Sequence, residues 1–226
     1  MWESESVLPV SQPDMTLSDQ ELFGDDHPHD HCGVFGVWAP GEDVSRLTYF
    51  SLYALQHRGQ QSAGIATSNG KQILVYKDQG LVSKVFSEQS LQGLRGHIAL
   101  GHVRYATTGA DVWRNAQPTL GPTPTGTLAL AHNGNLTNTR ELMDAVHATS
   151  GEDLSGELGR GSSTDTAVLA ALLNLVSEHG ALEGWDSAAD ILTSGITDDA
   201  ELEAAYSAPA PLSVHQAARR VLPMLR

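Results

Sequence analysis

Cys32 is the only cysteine among the 226 residues, and it stands directly before an apolar stretch, Gly33–Trp38, that predicts a β-strand. A thiol at the end of a strand can serve as a nucleophile when a base lies next to it. A single cysteine in a globular protein can equally be a small buried apolar side chain. Cys32 is therefore a candidate catalytic residue, and the rest of the chain must decide between the two roles.

Polar residues also lie where two other predicted strands end. Arg104 lies near the end of a strand predicted over 96–106, where a buried guanidinium needs an anionic partner. That partner is either a carboxylate of the protein or the carboxylate of a ligand, which the planar guanidinium can clamp. Asn133 and Gly134 follow a strand predicted over 127–131. They form either an ordinary tight turn or an oxyanion hole, in which a side-chain amide and a backbone N–H point at one atom.

Two further charged residues lie next to predicted helices. Asp165 opens an apolar helix predicted over 166–176, where a carboxylate can simply cap the helix. Arg58 belongs to a polar segment, 55–65, that interrupts the hydrophobic pattern where a helix leads into a strand. Loops at such junctions often carry functional residues.

The hydrophobic pattern predicts the elements that must position these side chains. The helix predicted over 42–57 has Val44, Leu47, Phe50 and Ala54 on its apolar face. Asn69-Gly70 predicts a two-residue hairpin turn between strands at 65–67 and 73–76. A loop rich in Pro, Thr and Gly is predicted to continue to residue 126, and helices are predicted to begin near 138 and 214.

The net charge of −14 is concentrated in two segments, 1–31 and 177–208, which hold eight acidic residues each and neither Lys nor Arg. The remaining 11 acidic residues face all 13 basic ones, so the central part of the chain is nearly neutral. This distribution argues against nucleic acid as a partner. The sequence contains no apolar run that could span a membrane and no signal peptide, which predicts a cytoplasmic protein.

Residues 1–31 contain three prolines and no hydrophobic period, so we expect a disordered leader. The last residues of this segment, 27–32, are rich in residue types that bind transition metals, so a metal site is a minor alternative role for the leader. The preferred interpretation is a propeptide that is removed.

Five motifs carry a resemblance that each of them alone would not. They are His31-Cys32-Gly33-Val34-Phe35-Gly36, Leu55-Gln56-His57-Arg58-Gly59-Gln60, Gly101-His102-Val103-Arg104-Tyr105-Ala106-Thr107-Thr108-Gly109, His132-Asn133-Gly134-Asn135 and Ser163-Thr164-Asp165-Thr166. In this order and spacing the chain from about 30 to 175 resembles the class II, N-terminal-nucleophile glutamine amidotransferases. Within them it is similar to the glutaminase domain of the amidophosphoribosyltransferases. The related enzyme that makes glucosamine 6-phosphate typically reads Tyr-Arg-Gly-Tyr-Asp and Arg-Trp-Ala-Thr-His-Gly at the second and third motifs. This chain differs from it at both motifs, which favours the amidophosphoribosyltransferases.

The resemblance implies an α+β fold, the four-layer αββα sandwich of N-terminal-nucleophile hydrolases. It also implies that removal of the leader makes Cys32 the first residue, so that its own α-amine serves as the general base. Asn133 Nδ2 and the Gly134 N–H would then stabilise the oxyanion, and the product would be glutamate and ammonia.

By the same resemblance, three charged residues bind the substrate glutamine. Arg104 would bind its α-carboxylate and Asp165 its α-ammonium group, while Arg58 would order the loop or the ligand. In whole enzymes of the family the ammonia reaches phosphoribosyl pyrophosphate, and phosphoribosylamine forms in the first committed step of purine synthesis.

The chain is expected to be an N-terminal fragment of such an enzyme. The phosphoribosyltransferase domain is absent from the 226 residues, the region 174–213 is interpreted as a surface insertion, and the sandwich is expected to be incomplete at its C-terminus. Phosphoribosyl pyrophosphate would be a partner only if the missing domain were supplied, and full-length relatives are expected to form oligomers. No cofactor is expected in this chain, since magnesium and the iron–sulfur cluster of some relatives would belong to the missing part. The alternatives are a catalytically silent remnant or interaction module, and the glutaminase domain of another class II amidotransferase.

Overall fold

Two antiparallel sheets lie at the centre of the computed structural model, which describes residues 32–105, 112–152, 154, 164–180 and 210–225. The strands are β1 (Gly33–Trp38), β2 (Ser62–Ser68), β3 (Ile73–Gln79), β4 (Ile98–Arg104), β5 (Thr119–Thr123) and β6 (Gly126–Leu130). The first four form one sheet in the order β1-β4-β2-β3, and β5 pairs with β6 in the other. The register pairs Gly33 with Val103, so Cys32 lies beside the end of β4 that carries Arg104.

The helices lie on the outer faces of the two sheets. They are α1 (Val44–Ala54), α2 (Val82–Val85), α3 (Glu88–Gly93), α4 (Thr139–Ser150), α5 (Asp165–His179) and α6 (Val214–Val221). Helix α1 packs on β1 and β4, whereas α5 packs on β5 and contacts α4 and α6. With the contact between β3 and β6, the described residues form layers in the order helix, sheet, sheet, helix.

Close packing of α1 on the first sheet depends on a glycine in β4. A Cβ atom at Gly101 would lie 2.5 Å from Cγ2 of Thr48 and 3.0 Å from the Leu52 side chain. The buried face of α1 contains Val44, Thr48 and Leu52. The predicted apolar face was right at Val44 and wrong at Leu47, Phe50 and Ala54, which are exposed. Thr48 can enter this core because its hydroxyl donates to the carbonyl of Val44 within the helix.

Two connections differ from the sequence predictions. The hairpin between β2 and β3 has four loop residues instead of two, because Oδ1 of Asn69 accepts hydrogen bonds from the backbone N–H groups of Lys71 and Gln72. The predicted loop before residue 126 contains strand β5, whose pairing with β6 outweighs the low strand propensity of Gly121 and Pro122.

The expected surface insertion at 174–213 begins and ends in the core of the outer helical layer. Leu175 and Val176 are buried in the last turns of α5, and Leu212 is fully buried against the same cluster. Residues 181–209, like the leader 1–31 and the 106–109 end of the third motif, lie outside the described residues. Among the described helices, none has the length and apolar character needed to cross a membrane.

Candidate active site

Cys32 occupies a backbone conformation that is rare for a residue with a side chain. Its φ is +55°, the only positive value at a non-glycine position in the described part of the chain. Such left-handed geometry typically costs about 1–3 kcal/mol and requires support from the surroundings. Sγ is half-buried and lies 3.4 Å from both the backbone N and the carbonyl O of Tyr105, the residue after Arg104.

Arg58 supports the backbone of Cys32 directly. Its Nε donates to the Cys32 carbonyl O at 2.8 Å from the 3₁₀ turn Gln56–Arg58 that follows α1. The next residue, Gly59, lies against β4, where a Cβ atom would come within 2.7 Å of the backbone carbons of Val103 and Arg104. The 3₁₀ turn therefore packs closely on β4, and this packing limits the positions that the Arg58 guanidinium can occupy.

Asn133 reaches the same carbonyl from the other sheet. Its Nδ2 donates to the Cys32 carbonyl O at 3.4 Å, and the side chain is exposed in the loop that follows β6. Gly134 lies beside the His132 ring, since a Cβ atom at 134 would be 2.7 Å from Nε2 of His132. A side chain at this position would displace that ring.

Arg104 is 3% exposed at the end of β4, and its carbonyl accepts from the backbone N–H of Gln61. Asp165 is the first residue of α5, directly after the N-cap residue Thr164. Its Oδ2 accepts from the backbone N–H of Leu136 at 3.2 Å and lies 3.5 Å from Nδ1 of His132. The carboxylate therefore faces the loop that carries Asn133.

Opposing effects act on the pKa of Asp165. Burial favours the neutral acid, but the His132 ring and the Leu136 N–H stabilise the carboxylate more, so the pKa is below its usual range. Asp165 is therefore ionised at neutral pH and can attract a cationic group.

Three residues of the site were missed as functional candidates. His102 and His132 belong to the quoted motifs, and His102 is fully buried, with its Nε2 3.3 Å from the His132 carbonyl. Burial lowers the pKa of His102 to about 4. Gln117 lies in the predicted loop, and its Oε1 accepts from the His132 N–H at 2.7 Å. No pattern around Gln117 indicated this contact.

The structure thus brings Arg58 and Asn133 to Cys32 and connects Asp165 to the site through His132. The site therefore contains a thiol, an exposed amide donor, a guanidinium and a carboxylate. These groups suit nucleophilic attack on the side-chain amide of an amino acid that carries both an α-carboxylate and an α-ammonium group. Among the described residues, no group of three His, Cys, Asp or Glu side chains could hold a metal ion.

The chain is similar to amidophosphoribosyltransferases, although no protein-family model matches it. It is 53% identical to that of Mycobacterium tuberculosis over 157 residues, which cover 69% of this chain and 29% of the relative. It is 51% identical to that of Synechocystis over 170 residues, which cover 74% of this chain and 33% of the relative. The chain therefore spans about a third of the length of the curated relatives it matches.

Solved structures also match the fold, and two of them show how closely. One, described as the allosteric regulatory enzyme of purine biosynthesis, gives a TM-score of 0.53 at 42% identity over 62% of this chain and 29% of that chain. The other, glutamine phosphoribosylpyrophosphate amidotransferase from Bacillus subtilis with ADP and GMP, gives a TM-score of 0.51 at 41% identity over 62% of this chain and 28% of that chain. These similarities confirm the predicted α+β fold of the N-terminal-nucleophile hydrolases.

Proposed function

Since the chain belongs to the amidophosphoribosyltransferase family by its similarity to the N-terminal part of these enzymes, we propose that it hydrolyses glutamine to glutamate and ammonia through a thioester on Cys32. The observation that carries the proposal is the meeting of Asn133 with Cys32 across the two sheets. The hydrogen bond runs from Asn133 Nδ2 to the backbone carbonyl O of Cys32, so it holds an amide donor, the kind of group that stabilises a tetrahedral oxyanion, beside the nucleophilic residue.

The reaction begins when the leader has been removed and the α-amine of Cys32 is free. This amine takes the thiol proton, and Sγ attacks the side-chain amide carbon of glutamine. Asn133 Nδ2 and the Gly134 N–H hold the oxyanion, and each such donor typically lowers the barrier by about 3 kcal/mol. The amine then gives its proton to the leaving nitrogen, and ammonia departs.

Water completes the cycle. The amine of Cys32 takes a proton from water as the water oxygen attacks the thioester carbon. When the second oxyanion collapses, the carbon–sulfur bond breaks, the amine returns its proton to sulfur, and glutamate leaves with the thiol regenerated. In this proposal Arg104 binds the α-carboxylate, Asp165 binds the α-ammonium group, and Arg58 holds the Cys32 backbone. Glutamine hydrolysis by this route needs no cofactor. A catalytic thiol must stay reduced, which fits a cytoplasmic location.

The proposed binding site for phosphoribosyl pyrophosphate belongs to the part of the relatives that does not align with this chain. The acceptor for ammonia would need a phosphoribosyltransferase domain supplied with this chain. Phosphoribosylamine formation in purine synthesis is therefore proposed for the chain together with such a domain.

The proposal is tested by incubating the chain with glutamine and measuring both products. We expect glutamate and ammonia in equal amounts, at the same rate with and without EDTA. Asparagine, which is one methylene shorter, places its amide carbon away from the thiol and serves as the control substrate. A folded chain that begins at Cys32 and releases no ammonia would instead support a silent remnant or interaction module.

Asp165→Asn is expected to weaken glutamine binding more than turnover. Losing a charge-assisted contact to the ammonium group should raise KM about 10- to 100-fold, with a smaller change in kcat. Asp144→Asn, on the exposed side of α4, removes a carboxylate that has no assigned role in the site and is the matched control. Steady-state kinetics of the two variants measure the difference, and an unchanged KM in Asp165→Asn would contradict the assigned role.

The same variant is expected to show a pH-dependent loss of stability. The pKa of Asp165 is lower in the folded protein than in the unfolded chain, so its carboxylate stabilises the fold above about pH 4. This contribution disappears as the pH falls through the folded-state pKa. The difference in unfolding midpoint between the unmodified chain and Asp165→Asn should therefore shrink between pH 7 and pH 3.

A further inference from the structure

Both backbone polar groups of His132, the residue before Asn133, are held by side chains from other parts of the chain. Its N–H donates to Oε1 of Gln117 at 2.7 Å. Its carbonyl O lies 3.3 Å from Nε2 of His102, which must carry the proton because a carbonyl only accepts. The two side chains are buried, with Gln117 at 6% and His102 at 0% exposure.

These two contacts orient the peptide groups on either side of His132. The N–H belongs to the peptide group between residues 131 and 132, and the carbonyl belongs to the one between 132 and 133. Because both peptide groups are fixed by hydrogen bonds, the backbone after His132 can follow only a narrow range of directions. The positions of Asn133 and Gly134 follow from that direction.

Gln117 is itself attached to the four-stranded sheet. Lys77 of β3 donates from Nζ to the carbonyls of Ala116 and Pro118, on either side of Gln117. The carbonyl of Gln117 lies directly over Gly64 of β2, where a Cβ atom would be 2.1 Å away. Trp113 adds a hydrogen bond from Nε1 to the Lys77 carbonyl at 2.9 Å.

His102 belongs to β4 of the same sheet, next to β1, which follows Cys32. The sheet that carries the nucleophile therefore also holds the loop that carries the proposed oxyanion donors. This is a requirement for the chemistry, because the donors and the thiol come from different sheets and must keep a fixed separation.

We propose that Gln117 and His102 are positioning residues for the oxyanion hole, since together they clamp the His132 backbone and so hold the loop that carries Asn133 and Gly134 beside Cys32. This inference rests on the proposed glutamine hydrolysis. The clamp is expected to act chiefly on the transition state, because the oxyanion forms only there.

The test uses pairs of variants that differ in one hydrogen-bonding atom, each in a chain whose leader has been removed so that Cys32 is the first residue. Gln117→Met removes the acceptor at nearly constant length, whereas Gln117→Glu keeps an acceptor oxygen. His102→Leu removes the ring donor, whereas His102→Gln keeps an N–H donor. Gln72→Met, in the exposed hairpin loop, is the control for the substitution itself.

We expect Gln117→Met and His102→Leu to lower kcat for glutamine hydrolysis about 10- to 100-fold while KM changes less than about threefold. Gln117→Glu and His102→Gln should recover most of this loss. Alkylation of Cys32 by iodoacetamide needs no oxyanion hole and should proceed at the rate of the unmodified chain. An unchanged kcat in folded Gln117→Met, or an equal loss in Gln117→Glu, would overturn the proposal.

Amide hydrogen exchange tests the clamp even without turnover. The peptide that covers 131–136 should exchange about 10-fold faster in Gln117→Met than in the unmodified chain, and Gln117→Glu should restore its protection. If the unmodified chain releases no ammonia, the proposed function fails, while faster exchange in this peptide still supports the clamp. Exchange that is the same in all variants would overturn it.

Discussion

Cys32→Ala is expected to lower the rate of glutamine hydrolysis by about 10⁴-fold or more, since no other group can form the thioester. Glutamine should still bind, because the charges assigned to its α-carboxylate and α-ammonium group are untouched. Isothermal calorimetry with Cys32→Ala should therefore still detect glutamine binding at one site per chain.

A matched substitution separates the nucleophile from its surroundings. Cys32→Ser keeps a small polar side chain and the hydrogen-bonding geometry to Tyr105, but its hydroxyl is a far weaker nucleophile than a thiolate. We expect its activity to lie close to that of Cys32→Ala. Because Sγ is only half-buried, neither variant should lower the unfolding midpoint strongly. Turnover by Cys32→Ala within about tenfold of the unmodified chain would exclude the thioester route.

A chain that keeps residues 1–31 attached to Cys32 is expected to show no glutamine hydrolysis. In that chain the nitrogen of Cys32 is an amide, which cannot accept the thiol proton. A free α-amine has a pKa of about 7.7–8.0 and is a usable base near neutral pH. The effect should match that of Cys32→Ala, because removing the base leaves the nucleophile without activation.

The test places a recognition sequence for a specific protease directly before Cys32. The uncleaved chain should be inactive, and activity should appear in proportion to the fraction cleaved, which intact mass measures. In the cleaved chain kcat should fall as the pH drops through the pKa of the amine, since protonation removes the base. Full turnover by a chain whose mass still includes residues 1–31 would refute the N-terminal mechanism.

The local sequence was sufficient to predict much of the framework. The apolar stretch after Cys32 forms β1, the stretch before Arg104 forms β4, and the apolar segment after Asp165 forms α5. These elements depend on patterns within a few residues, and such patterns are visible in the sequence. Strand β5 was missed because Gly121 and Pro122 disfavour a strand locally, and only pairing with β6 stabilises it.

The order of the motifs predicted which side chains belong together, but their contacts came from the tertiary structure alone. The position of Asp165 at the start of a helix did not reveal that its carboxylate also faces the loop that carries His132 and Leu136. Arg58 was expected to order a loop or the ligand, and its Nε donates to the carbonyl of Cys32.

The contacts of Gln117 and His102 could not be predicted from the sequence, because they form only in the folded chain. Their partner, His132, is 15 residues away from one and 30 residues away from the other along the chain. No local propensity reports a hydrogen bond across that separation, because it depends on strand register and on how the two sheets face each other. The sequence by itself determined that Cys32 stands before a strand with polar residues at the ends of other elements. The register of β1 against β4 and the packing of the second sheet decided that Asn133 reaches Cys32, since only those long-range contacts set the distance between them.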